Sequence, residues 1–271
     1  MKQVIFTADD FGLTPEVNEA VEKAHTRGVL SCASLMVGAA AAADAVARAK
    51  RLPSLRVGLH VTVADGKALL PHAAIPALAD AAGNLPRNLV TAGVHWFFSP
   101  AARRDLAREI RAQFDAFRAT GLALDHVNAH NHMHLHPTVL GIIIRVAREF
   151  GQGSKVPAMR LPWEPPAGLL TPWLALLRAR LRAAGIRHND VLVGMAATGH
   201  LTADRVAAAL MQVRDGVTEF YFHPASRNTP DLEAQAPGYD RLGEFEALLS
   251  PMVAAALREK GLKPIGFADL G

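Results

Sequence analysis

The 271-residue chain contains a single cysteine, Cys32, so no internal disulfide can form. Its setting, VLSCASLMV, is apolar and reads as a buried thiol. A cytosolic or redox-indifferent protein is the expectation. Long apolar runs are also scarce. The best span candidate, 28–47, is mostly small residues and holds Ser31, Ser34 and Asp44, so a short strand and an Ala-rich helix explain it better than a bilayer crossing. Polar residues arrive within a few positions of MKQVIFTADDFG, too early for the apolar region of a signal peptide. No G-x-G-x-x-G follows a strand and no P-loop occurs, which argues against dinucleotide or nucleotide-phosphate cradles. The net charge is +4, but the arginines are spread along helices without interleaved aromatics, so no nucleic-acid partner is expected.

What is present is a regular alternation. Short apolar runs at 3–8, 30–37, 55–61, 123–129, 158–161, 191–194, 218–222 and 264–267 read as strands. Amphipathic stretches at 15–27, 40–51, 100–120, 138–150, 170–184, 202–213 and 244–260 read as helices. Thr14-Pro15 and Ser99-Pro100 are helix starts. Such alternation predicts right-handed βαβ units and a parallel sheet. The fold expected first is an α/β, (β/α)-barrel-like (TIM-like) domain of seven or eight parallel strands spanning 1–271; an open doubly wound sheet is the alternative. Residues 63–98 fit neither period and read as an excursion with short helices. Residues 224–241 are polar and Pro-rich and read as a long loop.

Half of the residues are hydrophobic, yet there are twelve histidines, five of them between 126 and 136. Several strand ends carry groups that bind metals or move protons: Asp9-Asp10 after VIFTA, His60 after RVGL, His130 after HVNA and His223 after EFYF. In parallel α/β folds these ends gather on one face. Adjacent carboxylates repel unless a cation is near, and a divalent ion would let one ligate while the other serves as base; a cap or turn is the plainer alternative. His60 alone reads equally as a core histidine, and His223 as a turn residue or a general acid. In DHVNAHNHMHLH, His130 lies nearest the strand end and is the ligand expected there, with His132 and His134 as supporting or substrate-facing groups. Arg160 ends the short run AMRL and could clamp a carboxylate. A site of carboxylate and imidazole donors suits a catalytic transition metal better than a structural one.

TADDFG, GLHV, the N-A-H-N-H-M-H run before Pro137 and the late FHP together resemble the YdjC-like (ChbG-like) carbohydrate deacetylase family, from about residue 3 to the final GFADL. The resemblance implies a barrel-like fold related to polysaccharide deacetylases and hydrolysis of the acetamide of N-acetylglucosamine units. It implies one divalent ion, zinc first with Mg, Mn, Co or Ni as alternatives, on Asp10, His60 and His130. Asp9 is then the base and His223 the candidate acid. Arg160, Trp163 and Glu164, in the run RLPWEPP, join His132 and His134 as substrate-binding or supporting candidates. Many relatives have an aspartate where this chain has Asn128, so a charge is missing there, with Asp125 a conceivable substitute.

That run also resembles the hopanoid-biosynthesis-associated branch, which implies an N-acetylglucosaminyl lipid as substrate; chitooligosaccharides are the alternative. Residues 169–182 read as a basic amphipathic helix and Trp96-Phe97-Phe98 as a lipid-contacting edge, with core packing the competing explanation for both. A cytoplasmic protein peripheral to the inner membrane face follows, and a homodimer is allowed for. The rival functions are another metal-dependent barrel enzyme, such as a sugar isomerase or phosphoesterase, and a non-catalytic sugar- or lipid-binding protein.

Overall fold

The computed structural model describes residues 1–151 and 156–270. Its elements run β1 (Lys2–Phe11), α1 (Pro15–Arg27), β2 (Cys32–Leu35), α2 (Ala42–Arg51), β3 (Arg56–Val61), α3 (Leu89–Phe98), α4 (Pro100–Ala119), β4 (Leu124–Ala129), α5 (Pro137–Phe150), β5 (Ala158–Met159), α6 (Thr171–Ala183), β6 (Val191–Val193), α7 (Ala203–Met211), β7 (Gly216–Phe222), α8 (Pro230–Gln235), α9 (Arg241–Leu249) and α10 (Pro251–Glu259). The helix starts follow local chemistry. Thr14 accepts from the Val17 amide and Ser99 from the Ala102 amide, each followed by proline. On α4 the stripe Leu106, Ile110, Phe114 and Phe117 is buried, one face of a 3.6-residue period.

All strands are parallel, in the order β5-β4-β3-β2-β1-β7-β6. The sheet curls toward a barrel. β5 and β6 do not pair as strands, but the chain around them is stitched: the Met159 amide donates to the Arg187 carbonyl at 2.9 Å and the Leu192 amide to the Trp163 carbonyl at 2.7 Å. The Asn189 side chain completes the seam by bonding both the amide and the carbonyl of Leu161.

The eighth expected strand is not formed. Residues 264–267 make one bridge, Val4 to Pro264, and then turn into a 3-10 segment, Phe267–Asp269. Asp125 causes the bend by accepting from the Phe267 and Ala268 amides, which would otherwise serve a ladder. The segment caps the base of the barrel, where Phe267 and Leu270 pack on Ile5, Cys32 and Ala158. The expected helix 244–260 is instead two helices. Pro251 lacks the amide to continue α9, and Ser250 caps α10 by accepting from Met252. The segment 63–98 carries a 3-10 turn (His72–Ala74) and α3, and 224–241 contains α8. The two expected lipid-facing edges are divided between core and surface, with Leu169, Leu170 and Leu176 exposed. Trp96 is 1% exposed, and Leu174, Leu177 and Leu181 turn inward; only Phe97 and Phe98 of the aromatic trio face out.

Strand alternation sorts the side chains. Val4, Phe6 and Ala8, with Val57, Leu59, Val127, Phe220 and Phe222, form the apolar layer beneath the helices. The opposite set lies inside the barrel, and above the base it is polar: Ser34, His60, His126, Asn128, Arg160, Glu219 and Tyr221, with Asp9 at its top. Gly58 makes room for this lining. A Cβ there would lie 2.5 Å from the His126 ring, which bonds Asp125 and Ser34 and stacks on Phe267. Gly58→Ala is therefore expected to destabilise the protein by about 1–3 kcal/mol, read from urea unfolding, because the ring has nowhere to go.

Candidate metal and catalytic site

Two neighbours in a regular strand point to opposite faces, so Asp9 and Asp10 can share a site only if the strand is broken between them. It is: the β1–β2 register shifts between Ala8 and Phe11, and Asp10 is left-handed at φ 61°. Asn18 holds the turn that follows, accepting from the Gly12 amide at 2.7 Å and donating to the Ala41 carbonyl at 3.0 Å.

Asp10 Oδ1 lies 3.5 Å from His60 Nε2 and 3.2 Å from His130 Nδ1, and those two nitrogens are 3.3 Å apart. The tautomer of His60 is fixed from behind. Asn128 Nδ2 donates to Asp9 Oδ1 and Ser34 Oγ, so Asn128 Oδ1 must accept, and His60 Nδ1–H donates to it at 2.7 Å. That leaves the His60 Nε2 lone pair facing Asp10. Burial lowers the His60 pKa against the pull of Asp9 and Asp10. For His130 burial acts the same way, but the Asp10 carboxylate outweighs it and raises the pKa. Asp10 Oδ1 is buried without a hydrogen-bond donor; Arg241 reaches only the other oxygen, at 3.4 Å. One carboxylate oxygen and two imidazole nitrogens so placed are a donor set that could hold a metal ion. The charges agree: Asp9, Asp10 and Glu219 are met by two guanidiniums, Arg160 and Arg241, which leaves one negative charge.

Asp9 is clamped. Arg160, wholly buried, donates to both its oxygens at 2.5 and 3.0 Å, and to Glu219 at 3.0 and 2.7 Å. Burial favours the neutral acid, but Arg160 and the surrounding imidazoles hold Asp9 well below the usual carboxylate range. Arg160 is thus an interior clamp rather than a surface group, and it also lies over Tyr221. Asn128, where the resemblance implies a missing charge, supplies hydrogen bonds to Asp9 and Ser34 and accepts one from His60. Asp125 does not substitute for that charge, because it is spent at the base of the barrel on His126 and the C-terminal segment.

His223 follows β7 and lies among Tyr221, Tyr239 and Glu244. Its Nδ1 is buried without a partner, and burial pushes its pKa down to about 4. Burial pushes the Glu244 carboxyl up to about 7. The sign for stability follows from the depressed histidine. Between the unfolded value near 6.5 and about 4, the unfolded chain binds a proton at this position that the folded one refuses. His223 alone therefore contributes a fall in the stability of metal-free protein as pH drops through that window, while Glu244, whose carboxyl is raised, acts in the opposite direction. His223→Gln should flatten the fall, measured by denaturant titration at several pH values.

The histidine run does not stay extended. Asn131 and His132 are both left-handed, at φ 52° and 50°, and wind residues 130–135 into a tight turn. His132 lines the same cavity as Asp9, Asp10, His60, His130 and His223, a space of about 350 Å³, and its ring meets Tyr221 edge-on. His134 is buried, its pKa pushed by burial down to about 3, and is not part of that lining. Trp163 and Glu164 are not in it either. Trp163 carries the Arg178 guanidinium on its face, and both Glu164 oxygens accept backbone amides, from Gly194 and Ala196. Arg241, Tyr239 and Tyr221 line the cavity but escaped sequence reasoning. Tyr221 stands two residues before His223, at the end of β7, and was findable. Arg241 and Tyr239 sit in a segment that reads only as a polar loop.

A parallel barrel-like α/β scaffold that gathers, at its strand ends, one carboxylate and two imidazoles able to hold a metal ion beside an arginine-clamped aspartate is an arrangement fit for hydrolytic chemistry. The chain belongs to the YdjC-like protein family, whose model matches residues 3–259. It is 29% identical to a carbohydrate deacetylase of Brevibacillus brevis, covering 99% of this chain and 100% of the relative. Against a carbohydrate deacetylase of Homo sapiens the identity is 28%, covering 99% and 91%. The crystal structure of a putative cellobiose-phosphate cleavage protein from Enterococcus faecalis V583 superposes with a TM-score of 0.80 at 25% identity, covering 98% of this chain and 97% of that one.

Proposed function

We propose that this protein is a metal-dependent carbohydrate N-deacetylase, one domain along the chain, that hydrolyses the acetamide of an N-acetylglucosamine unit to acetate and a free amino sugar. The observation that carries the reading is the donor-free Asp10 Oδ1 between His60 Nε2 and His130 Nδ1, beside an Asp9 held ionised by Arg160. The names of the relatives supply the substrate class.

Asp10, His60 and His130 would hold the ion, zinc before Mg, Mn, Co or Ni. A divalent cation there supplies Lewis-acid polarisation of the carbonyl and acidification of water. Asp9, fixed by Arg160 and Asn128, takes the proton from the attacking water. His223 gives a proton to the departing amine, which leaves poorly as an anion. Because burial keeps His223 neutral near pH 7, the proton it delivers is the one Asp9 took from the water, passed on within the cavity the two share. His132 and Tyr221 wall the sugar.

The finer substrate in this reading is an N-acetylglucosaminyl hopanoid lipid. Such a substrate would bring the protein to the inner membrane face, where Val90, Val94, Phe97 and Phe98 of α3 offer an exposed apolar surface. Among the described residues no helix is long and apolar enough to cross a membrane. The test is mass spectrometry of metal-reconstituted protein incubated with N-acetylglucosaminyl lipid and with chitobiose. Loss of one acetyl mass with matching acetate is expected. Ketose formation, phosphate release, or binding without acetate under every metal would overturn the reading.

A further inference from the structure

The cavity that holds the chemistry is the smaller of two that meet. A chamber of about 990 Å³ opens beside it, built by the chain that follows β1, β2 and β3, and Asp65 and Gln235 line both spaces. The smaller space suits one amino-sugar ring. It is walled by Tyr221, Tyr239 and imidazoles, the flat faces on which a sugar stacks. The chamber is built differently. No aromatic residue lines it, and the apolar part of its wall is aliphatic, from Leu13, Met36, Leu69, Leu78, Leu85 and Pro86.

Its polar groups are largely occupied at home. Gln113 bonds both backbone groups of Thr62. Asp80 accepts from the Ala82 and Asn84 amides and the Asn84 side chain, and Lys67 donates to the Ala82 carbonyl. The lining side chains without such a bond are Asp65, Arg87, Asp231 and Gln235: Asp65, left-handed at φ 50°, lies 3.8 Å from the Arg87 guanidinium, and Asp231 stands one turn from Gln235 on α8. Leu13, Met36, Leu69, Leu78, Leu85 and Pro86, with no ring face among the lining residues, take up an apolar group better than a second, hydroxyl-rich sugar.

We propose that this chamber is the aglycone subsite: it binds a bulky aliphatic group attached to the amino sugar, with Asp65 and Gln235 marking the passage between the two. The proposal rests on the deacetylase reading and adds where selectivity resides.

The test compares kcat/KM for acetate release from N-acetylglucosamine, its decahydronaphthyl glycoside and the chitobiose disaccharide, using metal-loaded protein. The decahydronaphthyl glycoside is expected to be on the order of 30-fold better than the free sugar, mostly through KM, as burial of roughly 80 Å² of aliphatic surface would give. Gly38 and Ala40 line the chamber and are exposed. A Cβ on Gly38 meets only Leu69, at 3.7 Å or beyond. Gly38→Phe and, independently, Ala40→Phe should remove most of that advantage and leave kcat/KM on the free sugar within about twofold, with Tm confirming the fold. Equal rates on glycoside and free sugar, a preference for the disaccharide, or an advantage that survives both variants would overturn the subsite. No acetate from any of the three would instead overturn the deacetylase reading itself.

Discussion

Asp9→Asn is expected to lower kcat by roughly 10²–10⁴-fold while the bound metal per chain stays at the wild-type level. The amide keeps the shape of the carboxylate and can still meet Asn128 or Arg160, but it cannot take a proton. The fold should tolerate the change, because Arg160 keeps its bonds to Glu219 at 3.0 and 2.7 Å. Steady-state kinetics with acetate detection, run beside metal analysis of the same preparation, gives both numbers. Loss of metal together with activity would make Asp9 a ligand and reverse the roles of the two aspartates. Unchanged kcat would remove Asp9 from proton transfer. Asp10 should behave in the opposite way: Asp10→Ala removes one of the three donors of the cradle, and metal and activity should vanish together.

The second large effect is on the fold. Arg160→Met should cost about 3–5 kcal/mol, because it leaves two carboxylates, Asp9 and Glu219, inside the barrel without their cation. Burial, which already pushes the Asp9 pKa up, would then act with less opposition, so the ionised form would persist only at higher pH. Residual activity should accordingly shift its acidic limb upward. Arg160→Lys should recover part of the stability but little activity, since one ammonium cannot fork across both Asp9 oxygens and reach Glu219 as well. Urea unfolding at pH 7 checks the first statement and a pH–rate profile the second. If Arg160→Met unfolds like wild type, the clamp is not a structural element. Adding Asp9→Asn to Arg160→Met should return part of the lost stability, as one of the stranded charges is removed.

The strand–helix alternation was legible because buried parallel strands need continuous apolar runs, and RVGLHV and EFYF are such runs. The position of Asp9, Asp10, His60, His130 and His223 was legible for a related reason: each ends a run, and parallel strands end on one face. The bulge that turns both aspartates inward was not, since nothing in TADDFG announces a left-handed Asp10. The histidine run was ambiguous because a spacing of two reads as a strand until Asn131 and His132 adopt positive φ. Pro251 and Asp125 explain the two misplaced element boundaries, one by lacking an amide and the other by capturing two of them. Arg241 and Glu219 were invisible for a deeper reason. A buried charge is identified by its partners, and Asp10 and Arg160 lie far away in sequence from those two residues.

The measurement that bears most directly on the site is anomalous diffraction from crystals grown with zinc, paired with the Asp10→Ala variant. One peak per chain is predicted, bonded by Asp10 Oδ1, His60 Nε2 and His130 Nδ1, with Asp9 still on Arg160 and the peak gone in the variant. A peak bound by Asp9, a peak elsewhere on the molecule, or none at saturating zinc would contradict it.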